Sequence, residues 1–340
     1  MKAPGRERER NMRAKKPIRI LIAAAVALAV LAGCAAALSF IIYGRSPQAT
    51  AYEIILRFRH ADDRTPEEET ARLEAKRGTA EAPSALPAWL KARVETAETE
   101  YAGLQTFVLN PGGGSATVVY LHGGAYVNGF NAYQWRLLNK LSDKTGCEIL
   151  APAYHLAPYG DCVRGCEDVT ALFCAVAEAR PGRRIILMGD SAGGGLAMAV
   201  AENLVARGGP LPERLILYSP WMDVSMDNPD IEALIPVDPI LHFDLTQLHG
   251  RYWAGDSDVH DWRASPLFGE MTGLPPVTIY CGTRELLYPD LLLTRDKLEA
   301  AGVDLDFRAR RGMNHDYPLM PIPEAGAALA ETAALITGDT

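Results

Sequence analysis

The sequence predicts a doubly wound α/β domain with a mostly parallel sheet, preceded by a membrane segment. Three observations carry this reading. Beyond about residue 105, short β-branched runs alternate with helical stretches. Those runs are apolar throughout rather than at every second residue, as strands covered on both faces require. The first 43 residues join a basic flank to an uncharged apolar run. With 340 residues, 48% of them apolar and 22% charged, the chain has a globular composition and length for one large domain. The net charge of −8 argues against a nucleic-acid partner, because binding that polyanion depends on clustered Lys and Arg.

In chain order, Lys2, Arg6, Arg8, Arg10, Arg13, Lys15, Lys16 and Arg19 all precede the apolar run from Ile20 to Tyr43. That run exceeds the roughly 20 residues a helix needs to cross a bilayer. Residues 1–44 are therefore expected to be a basic cytoplasmic flank and a transmembrane anchor or signal segment. The excess of basic residues on the near side puts residues 45–340 outside the cytoplasm. An uncleaved single-pass anchor, a lipoprotein signal ending at Leu31-Ala32-Gly33-Cys34, and a cleaved secretory peptide all give this topology.

From residue 45 to about 104 the chain is charged and helix-prone, interrupted by Pro66, Pro83 and Pro87. Short amphipathic helices are expected there, either covering the larger domain as part of a cap or forming a solvated stalk. Strands are expected at 117–121, 148–150, 184–188, 215–218, 277–280 and 305–308, with helices at 133–144, 165–179, 192–207, 290–301 and 323–337. The stretch 221–262, with Trp221, Trp253, Trp262 and several Asp and Pro residues, breaks the alternation. It is expected as a second cap element near the carboxyl ends of the strands, where ligands of open α/β sheets bind. The six cysteines form no C-x-x-C pair and have no interleaved His, so neither a metal site nor a disulfide framework is expected. Cys162 and Cys166 read as neighbours on one helix face.

The chemistry concentrates at four strand ends. Gly189-Asp190-Ser191-Ala192-Gly193-Gly194 directly follows one strand and opens an Ala-rich helix. A G-x-S-x-G turn in that context projects the Ser hydroxyl above the sheet, which makes Ser191 the candidate nucleophile. His122-Gly123-Gly124-Ala125-Tyr126 follows another strand, and backbone amides held in such a loop can bind a developing oxyanion. Gly123, Gly124 and Ala125 are the candidates there, joined by Ala192. The base is His315, which lies in Gly312-Met313-Asn314-His315-Asp316-Tyr317 between the last strand and the last helix. The acid should fall between Ser191 and His315 at a strand end. Glu285 in Gly282-Thr283-Arg284-Glu285 is the first choice, and Asp290 the alternative. Tyr126, Trp221 and Tyr317 flank these motifs and are expected to line the substrate pocket.

These residues resemble the hormone-sensitive-lipase-like branch of bacterial α/β-hydrolase esterases across most of residues 100–337. The resemblance rests on His122–Tyr126, on Tyr154-His155-Leu156-Ala157-Pro158, on Gly189–Gly194, on Ser219-Pro220-Trp221-Met222-Asp223 and on Gly312–Pro318 with its His. It implies an α/β-hydrolase fold and a serine carboxylesterase that needs no cofactor or metal and acts on a small-molecule ester. A cap built from the N-terminal helices and an insertion after the sixth strand is implied as well. Ala125 stands where the family more often has a third Gly, and Glu285 where it usually has Asp. Short-chain acyl esters are the expected substrates. A lipase or deacetylase on the same scaffold and a non-catalytic binding protein are the competing readings, and the oligomeric state is open.

Overall fold

The structure, a computed structural model, describes residues 33–34, 37–60, 64–79, 81 and 84–338. One eight-stranded sheet runs through it: β1 (Thr96–Tyr101), β2 (Leu104–Leu109), β3 (Ala116–Leu121), β4 (Glu148–Pro152), β5 (Arg184–Asp190), β6 (Arg214–Tyr218), β7 (Val277–Gly282) and β8 (Leu305–Arg310). The spatial order is β1-β2-β4-β3-β5-β6-β7-β8. β2 is antiparallel to both neighbours, and every other pairing is parallel.

Side-chain alternation along the strands feeds two cores. Val119 and Leu121 of β3 pack with the Cys162–Ala179 and Ser191–Arg207 helices on one face. Ala116, Val118 and Tyr120 pack with the Ala132–Thr145 and Pro323–Thr337 helices on the other. Because both faces are covered, β3, β4 and β7 are buried along their whole length, which is why they read as unbroken apolar runs.

β1 departs from the expected pattern. The stretch up to residue 104 reads as helical, yet Thr96–Tyr101 pairs with β2 over six residues. Its sequence, TAETEY, is largely exposed at the sheet edge, so it lacks the apolar signal of a core strand. Among the described residues the cysteines are all free, and Cys162 and Cys166 are both buried on one helix.

Between β6 and β7 lies the insertion, with a 3-10 helix at Pro229–Leu234 and an α-helix at Phe243–Ala254. The Pro66–Glu74 helix packs on this second helix, where the His249 Nε2 and Glu69 Oε1 atoms are 2.9 Å apart and Tyr252 donates to Glu74. The expected basic flank and the first part of the apolar run, up to residue 32, lie outside the described residues. No helix among the described residues is long and apolar enough to cross a membrane. The last residues of the run, Ser39–Tyr43, form a single π-helical turn seated on the domain, followed by the Pro47–His60 helix. Arg45 fastens this segment: its guanidinium pairs with Glu53 at 2.5 Å and donates to the Gly312 carbonyl at 2.8 Å.

Candidate active site

β5 ends at Asp190, and the next residue opens the Ser191–Arg207 helix. The abrupt change of direction puts Ser191 at φ +50°, in the left-handed region that side chains other than glycine rarely adopt. Small residues make room for it. A Cβ on Gly193 would run into the carbonyls of Leu121 and His122, so the loop after β3 can lie against the turn only because Gly occupies that position.

Three sequence-predicted residues from three separate strand ends converge here. His315 Nε2 lies 2.9 Å from Ser191 Oγ, and His315 Nδ1 lies 2.9 Å from Glu285 Oε2. Ser191 and His315 are 8% and 3% exposed, and Glu285 is fully buried. The alternative acid is elsewhere: Asp290 accepts from Asn228 Nδ2 at 2.7 Å, and burial pushes its carboxyl up to about 7. The His315 loop is tied to the segment after β7 by two bonds, Arg284 N–H to Met313 O at 3.0 Å and Gly312 N–H to Thr283 Oγ1 at 3.0 Å. Arg45 adds its bond to the Gly312 carbonyl.

The four expected oxyanion donors divide. The Gly123 amide donates to Asp190 Oδ1 at 2.9 Å, so it is committed to holding the loop and is corrected from donor to anchor. The amides of Gly124, Ala125 and Ala192 have no acceptor among the described residues. Asp190 gathers the loop further by accepting from Tyr120 and from Gln134 Nε2, the latter at 2.8 Å. Neither Tyr120 nor Gln134 stands out in the sequence as a site residue. The one available sign is local: Gln134 lies three residues after Asn131, the spacing of a capping box, and the two do form one at the start of the Ala132–Thr145 helix. That spacing announces a helix start, not a contact with Asp190.

Charge at the site is set by crowded carboxylates. Burial works against a charged imidazole, but Asp316, Glu285 and Asp238 outweigh it and push His315 up to about 10. Asp316, whose Oδ2 is 3.4 Å from His315 Nε2, is itself pushed upward by burial and by its negative neighbours Asp190, Glu285 and Asp238. Asp238 holds the Glu285 loop by accepting from the Leu286 amide at 2.9 Å, and burial raises it to about 6. His122 goes the other way: burial lowers it to about 4, so it is neutral and donates from Nδ1 to Gly123 O at 2.8 Å.

The expected pocket residues are corrected. Tyr126 is fully buried, with its ring stacked on Trp253 at 3.9 Å between centroids and on Trp221 at 5.7 Å. Trp221 donates from Nε1 to Asp223 O, and Tyr317 is buried in the second core. All three are packing residues, because aromatic side chains beside the strand ends fill the space between the sheet and the insertion. The cavity that reaches His315, of about 170 Å³, is walled instead by Tyr52, Leu56, Tyr133, Ile240, Leu319 and Met320. A larger hollow of about 420 Å³ near the Pro323–Thr337 helix contains none of Ser191, Glu285 and His315.

The profile of the α/β hydrolase fold family matches residues 118–319. The chain belongs to that family. Within it, an acetyl-hydrolase of Streptomyces hygroscopicus is 34% identical over 224 residues, covering 63% of this chain and 75% of that protein. An esterase of Acinetobacter venetianus is 30% identical over 226 residues, covering 65% and 74%. A solved esterase of the bacterial hormone-sensitive lipase family superposes with a TM-score of 0.73 at 27% identity, over 86% of this chain and 98% of that one. This α/β hydrolase is a carboxylesterase of the hormone-sensitive-lipase-like branch.

Proposed function

We propose that the protein hydrolyses short-chain acyl esters through a Ser191–His315–Glu285 triad. The observation that carries this reading is the unbroken chain of two 2.9 Å contacts from Ser191 Oγ through His315 to Glu285. His315 Nε2 takes the Ser191 proton as Oγ attacks the ester carbonyl carbon. Glu285 fixes the imidazole with Nδ1 protonated and stabilises its positive charge. The amides of Gly124, Ala125 and Ala192 receive the oxyanion. His315 then passes the proton to the departing alcohol, leaving an acyl-enzyme on Ser191. A water molecule repeats the sequence and releases the acid.

Read as the acyl site, the cavity of about 170 Å³ beside His315 leaves room for short acyl groups only. A methylene that fits contributes about 1 kcal/mol, and one that clashes costs about 1–3 kcal/mol. On a panel of aryl esters, kcat/KM should peak between about two and six acyl carbons and fall at least tenfold by about twelve. Equal turnover of twelve-carbon and four-carbon esters rejects the preference. Residues 45–340 form the hydrolase, with 45–104 and about 221–262 as its cap elements, and lie outside the cytoplasm behind an N-terminal membrane segment. Protease added to spheroplasts should cleave the hydrolase, and complete protection until lysis reverses the topology.

A further inference from the structure

The Pro47–His60 helix presents different side chains on two opposite faces. Ala49, Tyr52, Glu53 and Leu56 turn inward, and Tyr52 and Leu56 form part of the wall of the cavity at His315. Ala51, Ile54, Ile55 and Phe58, at three-to-four spacing, turn outward and are exposed, Phe58 by 76%. The turn before the helix adds Leu38, Phe40, Ile41 and Ile42. Seven of the twelve exposed large apolar side chains among the described residues therefore fall between 38 and 58. A concentration of that kind marks an interaction surface rather than ordinary scatter.

The chain itself says what covers it. The uncharged apolar run that begins at Ile20 leads directly to Leu38. Ser39, the next residue, is buried, and its hydroxyl donates to Arg45 O and Ser46 O at 3.1 Å. No linker separates the run from the domain, so a bilayer holding the run meets the domain at this turn. The exposed Arg311 lies beside this turn, and its Nη2 donates to Ile42 O at 3.3 Å, which suits phosphate headgroups.

We propose that the outward stripe of the Pro47–His60 helix and the apolar side chains of residues 38–42 dock into the lipid bilayer and seat the catalytic cavity at its surface. An α-helix is about 10 Å across. The stripe and the cavity wall are opposite faces of one helix, so an ester whose alcohol portion partitions into lipid has a short path to Ser191. This rests on the membrane tether and the esterase reading above.

The test uses the full chain in nanodiscs of phosphatidylcholine and phosphatidylglycerol, with and without dibrominated acyl chains. Phe58→Trp should be quenched by the brominated lipid at least twofold more than Leu211→Trp, whose exposed position precedes β6 at the opposite end of the parallel strands. Equal quenching in protein that co-elutes with the discs overturns the proposal while leaving the tether intact. Protection of Phe58→Trp from both brominated lipid and aqueous acrylamide also overturns it, in favour of a second copy if light scattering gives a dimer. In a second arm, Ile54→Glu with Phe58→Glu should keep p-nitrophenyl acetate turnover within about twofold and lower turnover of bilayer-dissolved hexadecyl acetate at least tenfold. Loss of both activities would indict the esterase reading or the fold, and loss of neither would overturn the docking face.

Discussion

Glu285→Gln removes a charge from a fully buried acid whose Oε2 faces His315 Nδ1 at 2.9 Å. A hydrogen bond to a charged group contributes about 1.5–3 kcal/mol, and at about 1.4 kcal/mol per factor of ten that is roughly a 10- to 150-fold loss. A further loss comes from the amide's choice of orientation. Oε1 has no hydrogen-bond partner among the described residues, so nothing there favours presenting the carbonyl oxygen to Nδ1. With the NH₂ facing Nδ1, the imidazole carries its proton on Nε2 and cannot accept from Ser191; that tautomer costs about 10⁴-fold in a serine-protease triad. The expected fall in kcat is therefore about 10²- to 10⁴-fold. It should be measured on p-nitrophenyl butyrate, with circular dichroism to verify folding. Asp290→Asn, whose carboxyl bonds Asn228 instead, should change kcat by less than about tenfold. A larger loss in Asp290→Asn than in Glu285→Gln refutes the assignment.

Gly123→Ala would place a Cβ 2.5 Å from Asp190 Oδ2 and 3.0 Å from Ser191 Cβ, so the loop carrying the proposed oxyanion amides must shift. A loss of about 10²- to 10³-fold in kcat, comparable to removing one oxyanion donor, is expected in steady-state assays; wild-type kcat shows that the loop does not work this way. His315, the proposed base, must be unprotonated to act, and its pKa is raised to about 10, so kcat/KM should fall as pH drops through the alkaline range. Asp316→Asn removes one of the carboxylates that raise His315 and should move that acid limb to lower pH. An unchanged or upward-shifted limb contradicts the electrostatic account.

Much of the candidate site was legible because the proposed chemistry needs particular residues at strand ends. Ser191 follows a buried strand and opens a helix, and the chain order Ser, acid, His leaves few positions for Glu285 and His315. Residues acting through tertiary packing were not legible. Asp238 reaches the Leu286 amide, and Tyr120 reaches Asp190 across 70 positions, without any local pattern to announce it. The pocket has no local signature, because Tyr126 and Trp221 adjoin the motifs in sequence but face the core, whereas Tyr52 and Leu56 come from a helix whose docking direction no periodicity determines. The edge strand Thr96–Tyr101 was hidden by its polar, exposed side chains.

The central claim is that Ser191 is the nucleophile of this carboxylesterase. An alkyl phosphonate ester, which forms a stable adduct with an activated serine, should label the full chain once, on the peptide containing Ser191. Ser191→Ala should take up no label and lose about 10⁴-fold or more in kcat while remaining folded. Folded Ser191→Ala protein with near-normal esterase activity, or a label on another residue, would contradict the account.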